Sequence, residues 1–312
     1  MSFDVEKRTI LMVRHGSRAY GLNTPTSDLD VKGICVEPRE YHLGFMYVFE
    51  QHESKNDKED KVIYSLKKFA RLAADSNPNI IEILHGSDED ILKIDYFGKK
   101  LLDYRYAFLS KKARFTFAGY AHAQLKRIKT HRAWLLSPPK NPPSRSDFDL
   151  PDTSSMSKSD LGAFEKVLNE SPTIGMAKDV MTLYVRERQY QSAYAHWKQY
   201  QNWLKTRNPI RAELEAKFGY DTKHAMHLLR LMRMCKEILE TGKVIVKRPD
   251  REELLDVRNG RRSYESIIRE AERLEGECEE LYDTSTLQKH PNRQKLNDII
   301  VNLTEEYLRL HG

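Results

Sequence analysis

Two short segments near the amino terminus carry residue types that can do phosphate chemistry. In Ser27-Asp28-Leu29-Asp30-Val31-Lys32-Gly33-Ile34, Asp28 and Asp30 are two apart on a strand-like run, so both side chains leave the same face. Carboxylates placed together repel unless a cation lies between them. Hard oxygen ligands of this kind suit Mg²⁺ or Mn²⁺, particularly ions that also bind phosphate. Upstream, the strand-like Thr9 to Val13 runs into His15-Gly16-Ser17-Arg18-Ala19-Tyr20-Gly21. There a small residue lets the backbone approach a ligand, and a serine hydroxyl and amide can bond phosphate oxygens. Gly-Ser turns and Asp-x-Asp pairs are each common alone. A strand, Gly16-Ser17, ten residues and then Asp-x-Asp on an alternating strand together imply a nucleoside triphosphate site in which Gly16, Ser17 and Arg18 meet the phosphates.

Two-metal phosphoryl transfer needs a further carboxylate for the ion that activates the attacking hydroxyl. Glu82 is the one charge within Ile80-Ile81-Glu82-Ile83-Leu84, a run expected to form a third buried strand. A lone carboxylate in an apolar strand is costly unless a metal or a cation compensates it. A salt-bridged glutamate or an edge-strand residue facing water fits the same pattern, and Glu50 or Glu53 is an alternative third acid. His85-Gly86-Ser87, followed by Asp88 and Asp90, repeats the first tripeptide without its spacing and reads as a turn and helix cap.

A second constellation lies on a helix expected over Asp221 to Glu240. At 100° per residue, Lys223, His227, Arg230 and Met234 fall on one strip, flanked on both sides by apolar residues. A helix apolar nearly all round is buried, so this basic strip should face a cleft or a charged partner. One reading sends Lys223, His227 and Arg230 to a triphosphate, with His224 or His227 polarising or deprotonating the acceptor. The other is a buried salt-bridge network with the acidic carboxyl-terminal helix. In the preceding helical region Tyr184, Tyr190, Tyr194, Trp197, Tyr200 and Trp203 interleave with Arg186, Arg188, Lys198, Lys205 and Arg207. Rings stack on unpaired bases and cations bind phosphate, which suits single-stranded RNA or a tRNA end. The three-to-four spacing equally describes a core-facing stripe.

These residues must be positioned by a chain of 312 residues, 39% hydrophobic, 31% charged and formally +6. That is enough for about two domains. The longest apolar runs fall far short of the roughly 20 residues a membrane span requires, and Met1 to Arg8 lacks a signal-peptide core, so a cytoplasmic protein is expected. Cys35, Cys235 and Cys278 are far apart in sequence and form no Cys-x-x-Cys pair, which argues against a disulfide framework or thiolate zinc site. Charge is uneven: Lys99 to Arg132 holds ten Lys and Arg against one acid, and Lys178 to Lys236 holds twelve against five. The amino-terminal third alternates strand and helix patterns, with strands expected at Thr9–Val13 and Val31–Val36 and a helix through Val62, Leu66, Phe69 and Ala73 that Asp60 could cap. Beyond Lys99 the period is helical, apart from a Pro-rich break at 137–160, a short strand at Val244–Val246 and a last amphipathic helix through Tyr264, Ile268, Cys278 and Leu281.

The sequence resembles the polymerase-β superfamily of nucleotidyltransferases, and more closely the RNA-ligase-associated (RlaP-type) family. The matching residues are Gly16-Ser17-x-x-Tyr20-Gly21, Ser27-Asp28-x-Asp30-x-x-Gly33, Tyr64 to Phe69, Asn77 to Glu82, Lys223 to Leu231 and Arg248 to Leu254. The resemblance implies an α/β (α+β) protein: a mixed-sheet catalytic domain at 1–98 followed by a mainly helical domain at 99–312. It also implies Asp28, Asp30 and Glu82 as the metal triad and Ser17 at the triphosphate. The expected activity is Mg²⁺-dependent (or Mn²⁺-dependent) transfer of a nucleoside monophosphate from an NTP to an acceptor, with an RNA or tRNA 3′ end favoured. Nucleotidylation of a partner protein or a small molecule is the rival enzyme reading, and a non-catalytic RNA-binding module is the rival of a different class. Oligomeric state is not legible.

Overall fold

The computed structural model describes residues 3–25, 27–56, 58–154, 157–170 and 178–311. The strands are β1 (Thr9–His15), β2 (Leu29–Cys35), β3 (Gln51–Lys55), β4 (Glu59–Ser65) and β5 (Ile91–Ile94). The helices are α1 (Gly16–Ala19), α2 (Arg39–Leu43), α3 (Leu66–Ala74), α4 (Pro78–His85), α5 (Tyr96–Asp103), α6 (Ala113–Leu136), α7 (Lys158–Glu170), α8 (Lys178–Thr206), α9 (Pro209–Phe218), α10 (Thr222–Thr241), α11 (Arg251–Arg258), α12 (Tyr264–Thr284) and α13 (Arg293–His311). The strands form one mixed sheet, ordered β3-β4-β2-β1-β5. β2 and β4 run parallel, and the β1–β2, β1–β5 and β3–β4 pairs are antiparallel. This is the expected α/β architecture, a mixed sheet with helices followed by a mainly helical part.

The described chain divides into two compact units, residues 1–128 with 221–312, and residues 129–220. The division differs from the split expected at residue 98, because the carboxyl-terminal helices belong to the same unit as the sheet. Within that unit the basic block after Lys99 meets acids of α12 and α13: Arg114 reaches Glu279 at 2.8 Å, His122 reaches Glu275 at 2.9 Å, and Lys100 pairs with Glu306. In the other unit Trp134, Tyr200 and Trp203 form a buried aromatic cluster. The Pro-rich segment holds one short helical turn, Ser146–Phe148, and its residues 155 and 156 lie outside the described residues.

Several local expectations are corrected. Ile80–Leu84 is not a strand but lies in α4, whose start is fixed by Asn77 accepting from the Asn79 amide and by Pro78 in the first turn. All of Ile80 to Leu84 are buried, and burial on every side erases the periodicity that distinguishes strand from helix. Val62 and Ile63 belong to β4. The helix begins after them and is capped by Ser65, not Asp60, with the Ser65 side chain accepting from Lys68 N. Val244–Val246 is irregular chain, although Val244 and Val246 are buried. The helix through Tyr264 is followed by a further one, α13.

Glu37, just beyond β2, is 4% exposed. Burial pushes its carboxyl up to about 7, against the opposing pull of its own backbone amide, Ser65, Lys67 and Arg8. A carboxyl raised by folding holds its proton more tightly in the native state, so stability falls as pH rises from about 4.5 to about 7 and then levels off. Glu37→Gln should therefore raise the melting temperature at pH 8, by an amount on the order of 1–3 kcal/mol of unfolding free energy, and change little at pH 4. Calorimetric scans at the two pH values check this.

Candidate active site

The chemistry-bearing residues gather at one end of the sheet. Along β2, Asp30 stands opposite His15 of β1 on one side and Asp60 of β4 on the other. Residues directly opposite on neighbouring strands point to the same face, so the carboxyls of Asp30 and Asp60 share a face with the His15 ring. Asp28 lies just ahead of β2. Its position is set by Arg18, whose guanidinium donates to the Ser27 carbonyl at 3.0 Å and the Asp28 carbonyl at 3.4 Å. Arg18, expected on a phosphate, thus ties α1 to the loop that carries the first acid.

The strand β1 ends in a sharp turn into α1. Gly16 has φ of +64°, a conformation open to glycine at little cost. A Cβ at this position would collide with the Asp30 carboxylate. The Gly16-Ser17 turn is therefore packed directly against the second acid, and the small residue is required both by the backbone and by the contact.

Burial raises the Asp30 carboxyl above its ordinary value. His15 and Lys32 pull it down, while the charges of Asp60 and Asp28 push it further up. The charges of Asp28 and Asp60 thus reach Asp30, and Lys55 Nζ lies 3.1 Å from Asp60 Oδ2 at the rim. Carboxylate oxygens such as those of Asp30 and Asp60 on one sheet face, with the exposed Asp28 just ahead of β2, are the donor type a hard divalent ion takes. The residues present fit Mg²⁺ or Mn²⁺.

Glu82 is placed differently from expectation. Its side chain is fully buried, and both oxygens are occupied: Arg230 Nη1 donates to Oε1 at 2.6 Å, and the Tyr20 hydroxyl donates to Oε2 at 2.5 Å. His15 Nε2 lies 3.3 Å from Oε2. The Arg230 guanidinium also stacks on the Tyr20 ring, 3.9 Å from its centroid. Burial by itself would raise the Glu82 carboxyl, but the Arg230 charge, with His15 and Tyr20, outweighs it and holds the group at about 2. Glu82 is a salt-bridged core glutamate, not a third metal ligand, and Arg230 is its counter-ion, not an open phosphate clamp.

The acid that strand register sets opposite Asp30, and that the sequence reading leaves out of the site, is Asp60. The signal was present in Glu59-Asp60-Lys61-Val62-Ile63-Tyr64, an alternating run that forms β4, but the reading joined Val62 and Ile63 to a helix. Glu50 is engaged by Lys68 at 3.3 Å and Arg71 at 3.1 Å, and Glu53 is exposed on β3. Lys223 and His227 sit half-buried on α10 ahead of Arg230. His224 Nδ1 is 2.7 Å from Gln124 Oε1, and its Nε2 is 3.5 Å from Asp221.

In the second unit the aromatic stripe of α8 splits. Tyr200 and Trp203 are core. Tyr184, Tyr190, Tyr194 and Trp197 are half-buried, and Arg186 and Arg188 are paired with Asp149 and Glu165.

Residues 3–135 match the RlaP family, described as an RNA repair pathway DNA polymerase beta family. The chain is also similar to an uncharacterized 38.9 kDa protein of the nrdC-mobD intergenic region of Enterobacteria phage T4. The two are 27% identical over 290 residues, which cover 83% of this chain and 85% of the phage protein. No solved structure matches.

Two substitutions check the geometry. Gly16→Ala forces a side chain into a left-handed conformation against Asp30 and should lower unfolding free energy by about 1–3 kcal/mol. Arg230→Met leaves a buried carboxylate unpaired and should cost about 3–5 kcal/mol, most of it recovered on adding Glu82→Gln. Urea unfolding measures both.

Proposed function

We propose that the chain is a divalent-metal-dependent nucleotidyltransferase of RNA repair, which moves a nucleoside monophosphate from an NTP to an RNA 3′ end and releases pyrophosphate. The observation that carries this reading is the strand register that sets Asp60 opposite Asp30, with Asp30 packed against the Gly16-Ser17 turn and Asp28 just ahead of β2. In it, Asp28, Asp30 and Asp60 hold Mg²⁺ or Mn²⁺, and the turn receives the triphosphate. When bound, such ions neutralise phosphate charge and lower the pKa of the attacking hydroxyl. Lys223 and His227 of α10 are the groups assigned to the outer phosphates, the role from which Arg230 is withdrawn.

The RNA acceptor is supported by the description of the matching family and by surface chemistry in each unit. Lys126 and Arg127 are exposed on α6, and the half-buried rings of Tyr184, Tyr190, Tyr194 and Trp197 lie along α8. Exposed cations and partly open rings are the groups that unpaired nucleotides engage. Among the described residues no helix is long and apolar enough to cross a membrane.

The test is transfer from α-labelled NTPs to pools of RNA, protein and metabolites in the presence of Mg²⁺. Label should appear at RNA 3′ ends. Asp30→Asn and Asp60→Asn should each reduce it by about a hundredfold or more, given that metal ions supply several kcal/mol of transition-state stabilisation. Full activity in Asp60→Asn would refute the carboxylate assignment, and label confined to protein would refute the RNA acceptor.

A further inference from the structure

The turn on which the proposed site depends is short. α1 spans only Gly16–Ala19, its first residue has a left-handed backbone, and Asp30 packs against its start. One-turn helices are marginal on their own, so something outside the turn must hold it. The two residues that flank it, His15 before and Tyr20 after, both meet the same carboxylate, Glu82 Oε2. The residues after it are held through their carbonyls by the carboxyl-terminal part of the same unit. The Arg248 amide donates to Tyr20 O at 3.2 Å, Arg251 Nε donates to Gly21 O at 2.5 Å, and Arg258 donates to Leu22 O. Arg248 is itself 4% exposed and fixed by Glu237 and Asp250.

We infer that Glu82 is a positioning residue of the active site: by gripping Tyr20 and His15 it sets the Gly16–Ala19 turn against Asp30, and Arg230 holds that carboxylate in place from α10. A fully buried ion pair is a weak source of net stability, because the desolvation of both ions offsets their attraction. Such a pair between α4 and α10, hydrogen-bonded to Tyr20 on one flank of the turn and 3.3 Å from His15 Nε2 on the other, sets the distance from Ser17 to the acids. Ser17 then stays in register with the metal-binding carboxylates without any direct bond to them. The nucleotide part of this inference rests on the reading of the turn as the triphosphate cradle.

Tyr20→Phe tests it in the full chain, since it keeps the ring beneath Arg230 and removes only the hydroxyl. Amide hydrogen exchange of residues 16–22 should quicken about tenfold, the loss of one net hydrogen bond, while the amides of β1 and β2 keep their rates. Affinity for Mg·ATP should weaken about tenfold, and this loss should vanish when Ser17→Ala is already present, because the tyrosine acts through the serine turn. Glu82→Gln with Arg230→Met, which removes both buried charges together, should loosen the same amides. Unchanged exchange at 16–22 in both variants would overturn the inference, as would an undiminished tenfold loss in the Ser17→Ala background. If the unaltered protein binds no Mg·ATP, the nucleotide reading has failed, and exchange at the turn alone decides whether Glu82 holds it.

Discussion

The buried contact of Glu82 with Arg230 and Tyr20 organises the unit that carries the sheet. Moving a carboxylate and a guanidinium out of water costs several kcal/mol per ion, so neither tolerates losing the other. Here the cost is offset by a short charge-assisted bond, a tyrosine hydroxyl and a ring face beneath the guanidinium. The consequence is geometric. Residues 148 positions apart in sequence are held within hydrogen-bond distance, and β1, α1, α4 and α10 become one assembly.

A second constraint is the repulsion among Asp28, Asp30 and Asp60. Strands β2 and β4 are parallel and in register, with Asp30 opposite Asp60. The parallel pairing requires the chain to cross over through α2 and β3 before it returns as β4, and that crossover is what brings two acids thirty residues apart onto adjacent strands. Like charges facing each other destabilise a sheet. Asp30 and Asp60 stand there half-buried, beside a glycine turn that admits no side chain, and a cation between them would relieve that repulsion.

Much of this was legible in the sequence. β1 and β2 were visible as apolar or alternating runs, α10 and α12 as amphipathic periods, and the Gly16-Ser17 turn and Asp28-x-Asp30 pair by spacing. The basic excess after Lys99 and the acids of the carboxyl-terminal helices were also visible, though not that they neutralise one another. The illegible parts have specific causes. Ile80 to Leu84 are apolar on all sides, so no period separates strand from helix there, and only the Asn77-Pro78 cap signals α4. Asp60 was assigned to a helix cap because the alternation of β4 passes without a break into the period of α3.

The sequence by itself determined the chemistry available: which residues can bind phosphate and divalent ions, and that a packed apolar core must carry them. Tertiary structure decided which neighbours each carboxylate has. Glu82 and Asp60 are both acids beside apolar runs, and one-dimensional spacing cannot tell them apart. Only strand register sets Asp60 opposite Asp30, and only helix packing brings Arg230 and Tyr20 onto Glu82, because a carboxylate's role is fixed by the charges and dielectric around it, and these are properties of neighbours remote in the chain.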